Sequence, residues 1–218
     1  PWKDAGVLDS LDQLIAKESS GSVLYDSAAA VWDRNSNPGI AAWYLEQKAS
    51  KTGAEKDWLG AGYRYFDAFK STNDSVTFRW FVSKAIESYS KVIELNPSNL
   101  NAKTDLGVLY AEGTGEPMKG IMMLREVVQT DSLHENAQMN LGFLSMKSGQ
   151  YAKAVDRFKT VLRINPNRIE MYVYLAQAQV ESGDKEGALK NLRIFRNVSK
   201  DDQMNLEVDN YIKEIEKK

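Results

Sequence analysis

Few side chains in this chain are suited to covalent or metal chemistry. There is no cysteine, and the single histidine, His134, stands between Asp131 and Glu135. Disulfides and thiolate nucleophiles are therefore excluded, and zinc would lack both sulfur and a second imidazole. His134 reads as a surface residue or a helix cap. Gly113-Thr114-Gly115-Glu116 is the nearest approach to a phosphate cradle, but no Lys-Ser/Thr follows it, so it reads as a turn. The chain also lacks His-Glu-x-x-His, Ser-x-x-Lys and a nucleophile elbow. Carboxylates are plentiful, yet no spacing marks one pair as an acid and a base. No catalytic residue, cofactor or metal ligand is assigned, and the chain is expected not to be an enzyme. What remains is recognition: asparagine and glutamine both donate and accept, and aromatic rings and methionine fill apolar pockets.

The elements that carry these residues are helical. The 218 residues are 43% hydrophobic, enough for a sizeable core, and 28 basic against 30 acidic residues leave a formal charge of -2. That balance gives no electrostatic footprint for nucleic acid or an acidic membrane. No apolar run reaches the roughly 20 residues of a membrane-spanning helix. Internal repetition organises the chain. Glu94-Leu95-Asn96-Pro97 recurs as Arg163-Ile164-Asn165-Pro166, and between them Leu106-Gly107, Leu141-Gly142 and Leu175-Ala176 follow one another at a period of about 34 residues. Proline cannot donate the bond a continuing helix needs and drives the preceding residue out of helical geometry, so helices should stop before Asn96 and Asn165.

Leu141-Gly142, Gly149-Gln150-Tyr151, Ala154, Phe158 and Pro166 resemble the tetratricopeptide-repeat (TPR) pattern. Gln138 stands where the pattern has tryptophan, and Ser145 where it has tyrosine. The resemblance implies an all-α, right-handed superhelix (solenoid) of TPR helical hairpins with a C-terminal capping helix. The expected organisation is N-terminal helices with a degenerate TPR-like hairpin over 1–54 and TPRs over 55–99, 100–134, 135–168 and 169–200, closed by a capping helix over 201–218. The repeat at 55–99 carries extra residues between Tyr65 and Ala85, so its helices should be elongated, the second capped by Asn73 or Asp74. The stripe Met204, Val208, Tyr211, Ile212 and Ile215 should pack the capping helix. Trp32, Trp43 and Trp58 fall on inward stripes, whereas Trp80 falls off its stripe and is a candidate surface contact.

In TPR proteins the first helix of each hairpin lines the concave face. The resemblance therefore implies a partner-binding groove built from Tyr63 and Phe66, from Asn101 and Thr104, from Asn136, Met139, Asn140 and Phe143, and from Tyr174 and Gln177. Packing of Met139, Phe143 and Tyr63 against neighbouring helices, or an N-terminal helix lying in the groove, is an equal alternative. Leu59, Tyr63, Thr104 and Val108 stand where a carboxylate clamp would need basic or polar groups, so no clamp is expected. The function implied is a non-catalytic scaffold or adaptor for a protein or peptide, with self-assembly into a homo-oligomer, or carbohydrate binding, as alternatives. Pro1-Trp2-Lys3 in place of a start methionine, with no cysteine, leans towards an exported or periplasmic bacterial protein whose upstream signal or anchor has been removed, with the cytoplasm as the alternative.

Overall fold

The structure is a computed structural model and describes residue 10, residues 12–15 and residues 22–217. Residues 1–9, 11 and 16–21 of the expected N-terminal segment lie outside the described residues, as does Lys218, whereas the expected hairpin within 1–54 is described. Among the described residues there is no strand; residues 10 and 12–15 are helical, and eleven further helices follow. They are α1 (Ser22–Arg34), α2 (Pro38–Thr52), α3 (Glu55–Ser71), α4 (Ser75–Leu95), α5 (Leu100–Gly113), α6 (Pro117–Thr130), α7 (Glu135–Lys147), α8 (Tyr151–Ile164), α9 (Glu170–Glu181), α10 (Lys185–Val198) and α11 (Asp202–Lys217). The chain divides into two compact units, Pro1–Met123 and Leu124–Lys218, with the division inside α6.

Local chemistry sets the helix ends. Asn37 accepts from the Ile40 amide with Pro38 in the first turn, Asp74 accepts from Thr77 at 2.7 Å, and Asn99 accepts from Ala102 at 3.0 Å. His134 Nδ1 accepts from Ala137 at 3.3 Å, so the lone histidine is a helix cap. Asp184 and Asp201 do the same for α10 and α11. Each of these bonds satisfies an amide that the first helical turn leaves without a partner. Helices α4 and α8 stop at Leu95 and Ile164, and Asn96 and Asn165 leave helical geometry at φ -141° and -136°. Gly53, at φ 65°, closes α2 in the left-handed region that glycine adopts without a Cβ clash.

In the first unit successive helices from α1 to α5 pack as neighbours. Tyr65 of α3, Tyr89 of α4 and Leu109 of α5 are fully buried. At 17 and 21 residues, α3 and α4 are longer than the 14-residue α5. In the second unit α7 to α11 pack in chain order. Phe158, Val161, Met171 and Leu175 form one core cluster, and Leu192, Phe195, Val208 and Ile215 form the next. Small residues set how closely helices approach: a Cβ on Gly142 would stand 2.6 Å from the Phe158 ring, which only a missing side chain permits.

Two inward assignments are corrected. Trp43 is 44% exposed, its ring set edge-on to Tyr44, because the inward face of α2 is already filled by Ala41, Ala42, Tyr44 and Ala49. Met204 is 38% exposed, because Asn205 and Val208 take the packed side of α11. Trp80 is 45% exposed and its ring meets the edges of Tyr65 and Phe81.

Candidate functional site

The second unit contains a pocket of about 280 Å³ between α9 and α11. Val173, Tyr174 and Gln177 of α9 face Met204 and Tyr211 of α11, buried Phe195 and Val208 also line it, and Glu170 and Glu207 add carboxylates. The spacing 170, 173, 174, 177 puts four side chains on one face of α9. Met204, Glu207, Val208 and Tyr211 do the same on α11. Tyr174 is held from behind: its ring is edge-on to Phe143 at 4.8 Å, and Phe143 is edge-on to buried Phe158 at 5.3 Å. The pocket therefore has a fixed aromatic wall and an adaptable thioether, suited to an apolar side chain with amide hydrogen bonding from Gln177. Burial raises the Tyr211 hydroxyl above its ordinary pKa, and Glu181 and Glu214 push it the same way.

The ten residues expected to meet a partner divide between the units. In the second unit, Tyr174 and Gln177 line the pocket. Met139 and Phe143 are half-buried against the Phe158 cluster, so the packing alternative describes their present contacts. Asn136 is exposed, and Asn140 donates to its carbonyl at 2.8 Å. In the first unit, Asn101 is exposed and Tyr63 is 37% exposed, with its ring 6.0 Å from Tyr89. Two assignments are corrected. Thr104 is 1% exposed and its hydroxyl donates to the Leu100 carbonyl, so it belongs to the interior of α5. Phe66 is 9% exposed, packed edge-on to Phe69 at 5.0 Å with Lys70 over its face.

The tetratricopeptide-repeat family model matches residues 145–194, which span α8, α9 and most of α10. The solved structure of PilW, a type IV pilus biogenesis factor, superposes with a TM-score of 0.69 at 18% identity, covering 91% of this chain and 87% of PilW. The solved structure of YrrB, described as a TPR protein with an unusual peptide-binding site, superposes with a TM-score of 0.57 at 15% identity, covering 93% and 99%. Residues 145–194 match the tetratricopeptide repeat, and the chain has the fold of tetratricopeptide-repeat proteins. Among curated proteins, the mitochondrial import receptor subunit TOM70 of Rattus norvegicus is 28% identical over 109 residues, 48% of this chain, and the match spans only 18% of the receptor.

In this chain the position that the repeat pattern gives to tryptophan is occupied by Gln138. It is 5% exposed and fully engaged, donating to Ser132 O at 2.7 Å and accepting from Arg157 at 2.7 Å, which is how a buried amide avoids a desolvation penalty. Among the described residues no group of three or more histidines, cysteines or carboxylates is placed to hold a metal. None of their helices is long and apolar enough to cross a membrane.

Two polar clusters in the first unit escaped the sequence reading. Asp105 of α5 accepts from the Tyr89 hydroxyl at 2.9 Å. Burial pushes its carboxyl up to about 6, with the Tyr89 bond and Lys70 opposing and Asp67 reinforcing the rise. Tyr89 is itself pushed well above the usual phenol range, first by burial and then by Asp105. An aspartate flanked by Thr104 and Leu106 in an apolar helix was the available signal. The second cluster joins α2 to α4: Glu46, 8% exposed, accepts from the Tyr65 hydroxyl and from Lys84 at 2.6 Å. It is a structural tie, since Glu46 engages Tyr65 and Lys84 at once. Phe195, Met204 and Glu207 of the pocket were also missed, because a gap between helices leaves no mark on either stripe alone.

Proposed function

We propose that this chain is a non-catalytic scaffold that binds a segment of a partner protein, and that an apolar side chain of that segment enters the α9–α11 pocket. The observation that carries the proposal is the pocket itself, with Tyr174 and Met204, each more than a third exposed, at its mouth. At about 280 Å³ it lies near the lower end of small-ligand pockets, roughly 300–1,000 Å³, and suits one or two side chains better than a cofactor. Aromatic and thioether groups at such a mouth are typical anchoring contacts. The likeness to YrrB, whose description names a peptide-binding site, supports the same class of ligand.

The test is a selection of random displayed peptides on the wild-type chain, followed by titration of each binder against a Tyr174→Ala, Met204→Ala variant. Both side chains are exposed, so circular dichroism should be unchanged. Loss of the two contacts should weaken binding by about 10-fold or more. An empty selection, or binders that do not distinguish variant from wild type, would overturn the proposal. Exposed Trp43, Val76 and Trp80 in the first unit favour a second reading, self-association through that unit, which concentration-dependent sedimentation abolished by Trp80→Ala would support.

A further inference from the structure

The lining of the α9–α11 pocket is apolar except for Gln177 and two carboxylates, Glu170 and Glu207, and no lysine, arginine or histidine contributes to it. Both glutamates are exposed, and neither makes an ion pair among the described residues. Three arginines of the same unit are already engaged elsewhere. Arg193 and Arg196 of α10 pair with Glu216 and Asp209 of α11 at 3.0 and 3.1 Å, and Arg168, just before α9, pairs with Glu135. Helices α9 and α11 together carry seven carboxylates against two lysines, Lys213 and Lys217, and of the seven only Asp209 and Glu216 are held by the α10 arginines. Two of those carboxylates, Glu181 and Glu214, act on the Tyr211 hydroxyl. The charged groups that line the pocket are thus all negative, although the whole chain is nearly neutral at -2.

Such a field discriminates between ligands of the same shape. A segment carrying aspartate or glutamate beside its apolar anchor would meet like charge on both walls, and one carrying lysine or arginine would supply the missing counter-ions. The stem of a lysine or arginine also lies favourably along apolar surface while its head reaches a rim carboxylate. We infer that the pocket takes a basic peptide segment, an apolar side chain flanked by lysine or arginine, with the anchor between Tyr174 and Met204 and the cations on Glu170 and Glu207. This rests on the peptide-binding reading above and adds the charge class of the ligand.

The test starts from a peptide obtained in the selection on the wild-type chain, resynthesised with lysine, glutamine or glutamate on both sides of its apolar centre and titrated by fluorescence anisotropy at low salt. The lysine form should bind about 10-fold more tightly than the glutamine form, and the glutamate form more weakly still. In a Glu170→Gln, Glu207→Gln variant, whose substitutions fall on exposed rim positions, most of the lysine advantage should vanish, as it should in the wild type at high salt. Equal binding of the three forms, or a lysine advantage retained by the variant, overturns the charge class while leaving peptide binding intact. Binding indifferent to Tyr174→Ala, or no binder at all, overturns both. Self-association that disappears in the Tyr174→Ala, Met204→Ala variant would put a second copy of the chain in the pocket, and would also overturn the inference.

Discussion

Replacing Asp105 with asparagine should stabilise the first unit at neutral pH and leave it unchanged in acid. Asparagine keeps the shape and an oxygen for the Tyr89 hydroxyl, which donates to Asp105 at 2.9 Å, but it carries no charge. Burial raises the folded carboxyl to about 6 from an ordinary 3.8, so the folded state holds the proton more tightly than the unfolded chain does. The stability this group contributes is complete below about 3.8 and is lost as pH rises through about 6. At about 1.4 kcal/mol per pH unit the full gap corresponds to about 3 kcal/mol. Water reaching the partly exposed side chain reduces that to about 1–2 kcal/mol. Urea denaturation of wild type and Asp105→Asn between pH 4 and 8 reads the difference directly, because the rest of the chain is common to both proteins. The variant should match the wild type near pH 4 and gain about 1–2 kcal/mol by pH 7.5. A variant less stable than wild type at pH 7.5, or a gain independent of pH, would refute the account of Asp105 as a charge held against its solvation.

Asp57→Asn should behave in the opposite sense. Burial raises the Asp57 carboxyl, but bonds from Thr52 and Lys48 outweigh it and hold the group below its ordinary value, so its contribution is present above about 3.8 and is lost as pH falls further. Lys48 lies 2.9 Å away with its side chain 11% exposed, and urea titration should show a loss of about 2 kcal/mol at pH 7 that shrinks below pH 4. Gly142→Ala should cost about 1–3 kcal/mol in the same assay, since the added methyl falls 2.6 Å from the buried Phe158 ring and that ring has nowhere to move. An unchanged midpoint would mean that α7 and α8 separate without penalty.

What the sequence made legible was everything encoded over short distances. Asn-Pro at 96–97 and 165–166 ended helices where proline chemistry requires, and of the two expected caps Asn73 and Asp74 it is Asp74 that caps the helix after it. Gly142, Ala154 and Phe158 marked the close contact of α7 with α8. The faces of individual helices were harder to read. Helix α5 buries Ala102, Thr104, Leu106, Gly107, Val108 and Leu109, which leaves little of its circumference exposed. A helix packed on several sides has no single polar stripe, so Thr104 could not be distinguished from a surface residue by periodicity. Phe66 was misread for the same reason on α3, where Tyr65, Phe66 and Phe69 are all buried. The pocket depends on how far α11 stands from α9, a quantity that neither helix carries in its own sequence.

The glutamates that open α3 and α7 have a consequence of a different kind. Glu55 accepts from Asn96 and Asn99 at 3.0 and 2.8 Å, and Glu135 accepts from Asn165 at 3.2 Å and pairs with Arg168 at 2.5 Å. In each hairpin the first turn is therefore clasped to the turn after its second helix. Tension transmitted along the chain by a bound partner would load these clasps before it peeled either helix from the other. Each hairpin would then yield as a latch, holding until its glutamate lets go, instead of stretching gradually like a spring.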